Sequence, residues 1–169
     1  MTHEEFKEAA EYWQKKDATG KKLSREALLA AMEAYIQTNN TCALATGAGT
    51  FMRCTPLEYS YHGGAFWMFS EGGLKFFALE KNKNVCLAIY DPYDGFVKLN
   101  GMQVTGMAEI VEPFCNEYLK AATFKKIPLE ALKKLPSPMH LIKITPKHID
   151  FLHSAFREQG FNARQALDF

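Results

Sequence analysis

The first 38 residues carry two apolar stripes with the spacing of α-helices. Apolar residues recur at intervals of three and four positions: Phe6, Ala9, Ala10 and Trp13 in the first stripe, and Leu28, Ala31, Met32, Tyr35 and Ile36 in the second. Such spacing predicts two amphipathic helices. Thr2 with Glu5, and Ser24, are residue types that cap helix starts. Residues 1–40 are therefore predicted to form an N-terminal helical extension.

From residue 41 onwards the apolar positions alternate with a period of two, which is typical of β-strands. The pattern predicts strands over residues 41–46, 52–61, 65–70, 85–90, 102–111, 139–145 and 148–153. His62-Gly63-Gly64 predicts a tight hairpin, because glycine reaches the backbone angles that such turns need. Gly106 is expected to mark a bulge in a long strand.

Short strands joined mostly by hairpins predict a mainly β fold built on an antiparallel barrel. The barrel is predicted to span residues 41–153, with a helix over 74–81 and a helical insertion at about 113–135. Residues 154–169 are predicted to form a C-terminal tail. A doubly wound nucleotide-binding sheet is excluded, because Gly47-Ala48-Gly49 lacks the third glycine of the G-x-G-x-x-G motif.

The composition narrows the class of protein. At 169 residues, of which 47% are hydrophobic, the chain is long enough for one domain with its own core. A formal net charge of +1 gives no general attraction to nucleic acid, and no run approaches the ~20 apolar residues that span a bilayer. Four separated cysteines, Cys42, Cys54, Cys86 and Cys115, are expected to be buried free thiols. We therefore expect a cytoplasmic protein that binds neither nucleic acid nor membrane.

The junction between the 65–70 strand and the following helix carries candidate binding chemistry. Ser70 is followed by Glu71-Gly72-Gly73 and then by Leu74-Lys75. Glycines let the backbone approach a ligand, a helix start presents N–H groups, and Ser70 and Lys75 add a hydroxyl and a positive charge. The loop is suited to hold a phosphate, although a glycine turn that enters an ordinary helix fits the residues equally well.

The order of these features resembles the pyridoxamine 5′-phosphate oxidase-like family of FMN-binding split barrels. The residues that carry the resemblance are Leu44-Ala45-Thr46, Arg53, Phe69-Ser70, Lys75, Leu79 with Asn82, and Gly106-Met107-Ala108-Glu109. They lie within roughly residues 41–112. The family implies a six-stranded, Greek-key antiparallel split barrel that forms a homodimer with FMN at the subunit interface. The aromatic strand 65–69 is the expected contributor to the subunit contact.

The resemblance also assigns candidate FMN-binding residues by position. Arg53 matches the strand arginine that binds the FMN phosphate, and Lys75, preceded by Leu74, matches the basic residue of the phosphate loop. Phe69 and Ser70 match an aromatic–hydroxyl pair. The stretch that follows the flavin ring matches Arg53, Cys54, Thr55, Pro56, Leu57 and Glu58. Pro56 departs from the pattern, because proline has no N–H to donate.

The histidines do not form a predicted metal site. His62, His140, His148 and His153 offer no H-x-x-x-H pair, and structural or surface roles are expected for them. No Ser-His-Asp or Cys-His arrangement follows from the order of the residues. The sequence therefore assigns no catalytic residue and no metal ligand.

The resemblance implies a flavin-dependent oxidoreductase that acts on a small redox molecule. A non-catalytic protein that stores or senses flavin or haem is the alternative, because both functions need the same cradle. A true pyridoxamine-phosphate oxidase is not expected. That enzyme binds a second phosphate with a lysine near the end of the Arg53 strand and an arginine–histidine pair near the C-terminus, whereas this chain has Glu58 and no histidine after His153.

Overall fold

The computed structural model describes all residues from 1 to 169. Its five α-helices are α1 (His3–Asp17), α2 (Arg25–Thr38), α3 (Lys75–Lys81), α4 (Asn116–Phe124) and α5 (Leu129–Lys133). Its eight strands are β1 (Thr41–Ala48), β2 (Phe51–Glu58), β3 (Ser60–His62), β4 (Ala65–Ser70), β5 (Asn84–Tyr90), β6 (Asn100–Val111), β7 (His140–His153) and β8 (Arg164–Asp168). No helix combines the length and apolar composition that crossing a bilayer requires.

The strands form one antiparallel sheet in the order β2-β1-β5-β6-β7-β4-β3, and β8 pairs with β7 outside that path. β7 has 14 residues and is long enough to pair with β4 along its first half and with β8 along its second. The sheet curls into a split barrel, which confirms the predicted mainly β fold. β2 and β3 end the path of the sheet, and β8, which pairs only with β7, is a third edge strand.

The long strands bend at the predicted bulge. The register between β6 and β7 shifts between Thr105 and Gly106. A Cβ atom at Gly106 would lie 2.6 Å from the carbonyl oxygen of Thr145, so only glycine permits this approach of two backbones. The predicted hairpin also forms, with Gly63 and Gly64 at φ values of 60° and 73°.

The strand count is eight rather than six, partly because the predicted 52–61 strand divides into two. Tyr59 is buried, and its N–H donates to the carbonyl oxygen of Asn40 at 2.8 Å. The chain therefore turns inwards after β2 before β3 begins. Near the C-terminus, by contrast, the two predicted strands 139–145 and 148–153 form one continuous strand, β7.

The predicted C-terminal tail, residues 154–169, contains the unexpected strand β8. Gln165 and Leu167 point inwards from it and are buried. A five-residue strand with only one large apolar side chain facing the core leaves little alternation for a sequence pattern to detect.

Two apolar clusters lie on opposite faces of the sheet. The larger has 23 buried residues and fills the inner face beneath α2, where Met32 and Ile36 are almost fully buried. The smaller has eight residues and joins α4 and α5 to the outer face of β4. Because β4 is covered on both faces by its own chain, the predicted contribution of residues 65–69 to a subunit contact is wrong.

The N-terminal helices form with the predicted caps. The Thr2 hydroxyl accepts the N–H of Glu5 at 3.2 Å, and the Thr2 N–H donates to the Glu5 carboxylate at 2.6 Å. Ser24 accepts the N–H of Ala27 at 3.2 Å. α2 packs into the core, whereas α1 buries none of its residues.

Candidate functional site

The loop from Ser70 to Lys75 is built by a strand end, two glycines and a helix start. Gly72 and Gly73 have φ values of 151° and 107°, which favour glycine. The Ser70 hydroxyl donates to the carbonyl oxygen of Gly72 at 3.2 Å and accepts the Gly72 N–H at 3.3 Å. These contacts close the loop on itself and fix the position of Ser70.

Lys75 is the most unusual charged residue of the chain. It is only 4% exposed, and its ammonium group donates to the carbonyl oxygen of Gly72 without contacting any carboxylate. Its Nζ atom lies 5.1 Å from the centre of the Phe76 ring. Burial lowers the pKa of Lys75, because the charged form loses hydration. A buried cation with no acid partner is costly, and an anionic ligand would offset that cost.

The start of α3 contributes less than the sequence suggests. The N–H groups of Phe76 and Phe77 already donate to the carbonyl oxygens of Gly73 and Leu74. Leu74 is 58% exposed and makes no side-chain cap to the helix. The capacity of the loop to hold an anion therefore rests on Lys75 and Ser70.

Arg53 lies on edge strand β2. Its strand partner is Thr46 of β1, so both side chains are on the inner face. The Arg53 side chain is exposed and makes no hydrogen bond or ion pair. α3 packs against β2, as the Phe51 and Phe77 rings with centres 5.2 Å apart illustrate. α3, which begins at Lys75, and β2, which carries Arg53, thus meet at one corner of the barrel.

The remainder of the segment from Arg53 to Glu58 forms an open edge. β2 is paired on one side only, with β1. Cys54, Pro56 and Glu58 are exposed, whereas Thr55 and Leu57 are half-buried. Glu58 forms an ion pair with Lys125 of the α4 C-terminus at 2.8 Å. The edge offers backbone polar groups to a ligand, and the charge at its end is already neutralised.

Phe69 is placed away from the loop. Side chains alternate along β4, so Phe69 lies on the face opposite to Ser70. Its ring packs edge-on against Tyr118 of α4, with ring centres 5.2 Å apart. Phe69 therefore supports the smaller apolar cluster.

Two polar residues near the corner were not identified as site residues from the sequence. Thr46 is 2% exposed, and its hydroxyl has no hydrogen-bond partner. The side-chain amide of Asn82 donates to the carbonyl oxygen of Gly47 at 2.8 Å and secures the end of β1. Both are among the residues that carry the family resemblance, and that was the signal that could have identified them.

A cavity of about 790 Å³ lies next to this corner and is not lined by Arg53, Ser70 or Lys75. It opens between the β1–β2 turn and the C-terminal end of α3, and is lined in part by Gly47, Met52, Asn82 and Cys86. Arg53 and Lys75 therefore lie next to this cavity rather than in it, whereas Lys81 lines it.

The outer side of β1, β2 and β5 presents what we term the open face, comprising Ala43, Ala45, Gly47, Met52, Cys54, Pro56, Cys86 and Ala88. These residues are cross-strand partners, which places them on one face. All are half-exposed or exposed, and none belongs to either apolar cluster. The open face is thus a largely apolar surface of small side chains.

The cysteines and histidines carry no metal site. All four cysteines are free, but only Cys42 is buried and Cys54 is exposed, so the expectation of uniformly buried thiols is wrong. Cys54 is exposed because it lies on the open face of an edge strand. No group of three or more His, Cys, Asp or Glu residues is arranged to hold a metal ion.

Comparisons with known proteins agree on the fold. The structure is similar to a FAD-binding protein from Mesorhizobium loti, with 16% identity, coverage of 83% of this chain and 94% of that one, and a TM-score of 0.60. It is also similar to HutZ, the haem storage protein of Vibrio cholerae, at 14% identity and a TM-score of 0.58. The similarity covers 70% of this chain and 89% of HutZ. A third is a FAD-binding protein from Mycobacterium smegmatis, with 16% identity, 81% and 96% coverage, and a TM-score of 0.53.

At these identities the solved structures show a shared fold, and no curated protein matches the chain. The family model for pyridoxamine 5′-phosphate oxidase matches residues 28–153, well over half of the chain. The match includes most of α2 and every strand from β1 to β7. The chain therefore belongs to the pyridoxamine 5′-phosphate oxidase family.

Proposed function

We propose that the chain binds FMN, with Arg53, Ser70 and Lys75 as ligands of the flavin phosphate. The observation that carries this proposal is the buried ammonium group of Lys75, which has a carbonyl oxygen but no carboxylate beside it. A phosphate monoester carries about −1.5 to −2 charges at neutral pH. Lys75 and Arg53 together offset that charge.

The three residues have complementary roles. Lys75 supplies a fixed charge at the base of the loop. The Ser70 hydroxyl would turn its one proton from the Gly72 carbonyl oxygen to a phosphate oxygen, while its oxygen still accepts the Gly72 N–H. Arg53 is exposed and unpaired, so its guanidinium is free to close on two phosphate oxygens. Leu74 contributes loop backbone, and Phe69 supports β4 from the opposite face.

The flavin ring is proposed to follow the open edge of β2. From Arg53 to Glu58 the strand advances five residues, or roughly 17 Å, which suits an elongated ligand. Thr55 and Leu57 would face the inner side of the ring, and Cys54 and Pro56 the outer side. Pro56 offers its carbonyl oxygen but no N–H.

A second copy of the chain is proposed to cover the open face and to complete the flavin site. Most side chains of the open face are small and permit close packing of two sheets. Exposed Met52 within the face and exposed Tyr90 at the end of β5 add larger apolar surface. It also borders the β2 edge, so a ligand on that edge would contact both subunits. A homodimer with FMN at the interface follows.

The proposed activity is that of a flavin-dependent oxidoreductase. Bound FMN supplies reversible electron or hydride transfer. The protein residues hold the phosphate, orient the ring along β2 and, through the second subunit, exclude water from one face. The substrate is proposed to be a small redox molecule.

Pyridoxamine-phosphate oxidase activity is not proposed, because Glu58 stands where that enzyme is expected to have a lysine and no histidine follows His153. Glu58 is itself paired with Lys125 at 2.8 Å. We expect no useful turnover of pyridoxamine 5′-phosphate with oxygen in steady-state assays. Turnover with a micromolar Michaelis constant, the low end of the usual enzyme range, would contradict this.

An absorbance spectrum of the purified protein tests the cofactor, and anaerobic mixing with NADH or NADPH tests the activity. We expect flavin bands after addition of FMN and their bleaching by one of the two donors. A Soret band in place of flavin bands would favour haem binding. Stable flavin bands that neither donor bleaches would favour a non-catalytic flavin-binding protein.

A further inference from the structure

β7 begins beside the loop from Ser70 to Lys75. His140 is the first residue of β7 and lies directly opposite Ser70, the last residue of β4. Side chains of directly opposite residues project from the same face of an antiparallel sheet, with Cβ atoms roughly 4.5–5.5 Å apart. His140 is therefore a neighbour of Ser70, one of the three proposed phosphate ligands.

The ring of Phe76 links His140 to Lys75. The ring centres of His140 and Phe76 are 4.7 Å apart, and the two rings are tilted by 51°. The Lys75 Nζ atom lies 5.1 Å from the centre of the same Phe76 ring. Phe76 is held in place because it packs against the larger apolar cluster. The imidazole, the Lys75 ammonium group and the Ser70 hydroxyl thus border one corner of the barrel.

His140 differs from the other histidines of the barrel in having no polar partner. The His148 ring binds the Asp168 carboxylate at 2.6 Å. His62 and His153 each have a buried ring nitrogen and pack against other aromatic rings. His140 is exposed, and neither of its ring nitrogens makes a hydrogen bond or an ion pair. Its ring N–H is therefore available to a ligand.

A phosphate monoester has room for this further donor. Its three terminal oxygens are strong acceptors and carry about −1.5 to −2 charges at neutral pH. An imidazole donates one N–H when it is neutral and two when it is protonated. Either form can donate to a phosphate oxygen, and the protonated form adds a positive charge.

We propose that the His140 imidazole donates a hydrogen bond to the phosphate of bound FMN, beside Ser70 and Lys75, and so contributes to a preference for a phosphorylated flavin. This role rests on the proposed FMN function. Donors from three elements, β4, α3 and β7, then meet at one phosphate.

Affinities for FMN and riboflavin, measured by quenching of flavin fluorescence, test the role of His140. We expect His140→Leu to weaken FMN binding about tenfold, as loss of one contact to a charged group does, and to leave riboflavin binding unchanged. His140→Gln keeps an N–H donor without a positive charge and is expected to retain part of the preference. His3→Leu, at an exposed histidine of α1, is the matched control and is expected to change neither affinity.

The inference is overturned if His140→Leu binds FMN as tightly as the native protein. Equal losses of affinity for FMN and riboflavin also overturn it, because they would indicate packing against Phe76 instead of contact with the phosphate. Loss of the FMN preference in Lys75→Met but not in His140→Leu overturns only the role of His140. Equal affinities of the native protein for the two flavins, or binding of neither, contradict the proposed function as well.

Discussion

β4 and β2 both carry proposed phosphate ligands, yet their surroundings differ completely. β4 is covered by apolar clusters on both faces, and Phe66 and Met68 are fully buried. β2 is an edge strand in which no residue is fully buried. β4 therefore holds the loop that contains Lys75 in place. β2 leaves one edge exposed, where FMN is proposed to bind, and one face exposed, where the second subunit is proposed to pack.

The two proposed cationic ligands differ in the same way. Lys75 is buried and held by Gly72, so its charge is preorganised. Arg53 is exposed and unpaired, so it must lose side-chain freedom when it binds. A fixed charge contributes more to binding than a mobile one, and Lys75 is therefore expected to dominate recognition of the phosphate.

The largest expected effect is the loss in the free energy of unfolding when a buried side chain of β4 is removed. Phe66→Ala removes a fully buried ring and is expected to cost about 3–5 kcal/mol of the free energy of unfolding. Phe51→Ala in β2, where the ring is half-buried, is expected to cost roughly 1 kcal/mol. Urea unfolding of both variants measures the difference. Equal costs would show that β2 is as well packed as β4.

The next effect concerns the open face. Ala88→Glu places a charge at the proposed subunit contact and is expected to weaken the dimer by about 3–5 kcal/mol, the cost of an uncompensated buried charge. Light scattering across a dilution series measures the dimer. Ala131→Glu on exposed α5 is the control. A stable monomer that still binds FMN at full affinity would rule out the shared site.

Lys75→Met removes the buried charge while it keeps most of the side-chain volume. FMN affinity is expected to fall by about 1.5–3 kcal/mol, or tenfold to a hundredfold. Stability without FMN is expected to stay unchanged or to rise, because a costly buried charge is lost. Flavin titration measures the change in FMN affinity, and urea unfolding without FMN measures the change in the free energy of unfolding. A loss of both affinity and stability would instead indicate a structural role for the ammonium group.

Arg53→Ala is expected to weaken FMN binding less, by about 1.5 kcal/mol or tenfold, because the side chain is exposed and mobile. Arg53→Lys should recover part of that loss by restoring the charge without the two-pronged geometry. Lys147→Ala, at an exposed lysine outside the site, is the control for general charge effects. An Arg53→Ala loss larger than that of Lys75→Met would reverse the proposed ranking.

Local sequence signals predicted the local structure well. The Thr2–Glu5 cap, the Gly63-Gly64 hairpin and the Gly106 bulge all form, because each depends on residues that contact one another directly. The loop from Ser70 to Lys75 also lies between a strand and a helix as expected.

Features that depend on distant contacts were not predictable. Whether β4 or β2 is covered depends on α4 and α5, which lie about 50 residues further along the chain. Met52, Cys54 and Pro56 are apolar or weakly polar, so their type did not reveal that they face outwards. The burial of Lys75 was equally hidden, since lysine in a helix start is ordinarily exposed.

The central claim is that the corner with Lys75 and Arg53 recognises a phosphate. Comparing the affinities for FMN and for riboflavin, which lacks the phosphate, tests it most directly. The native protein is expected to bind FMN about tenfold to a hundredfold more tightly than riboflavin, which corresponds to about 1.5–3 kcal/mol for one charged contact. Lys75→Met is expected to remove most of that preference. Equal affinities in the native protein, or a preference that survives Lys75→Met together with Arg53→Ala, would contradict the claim.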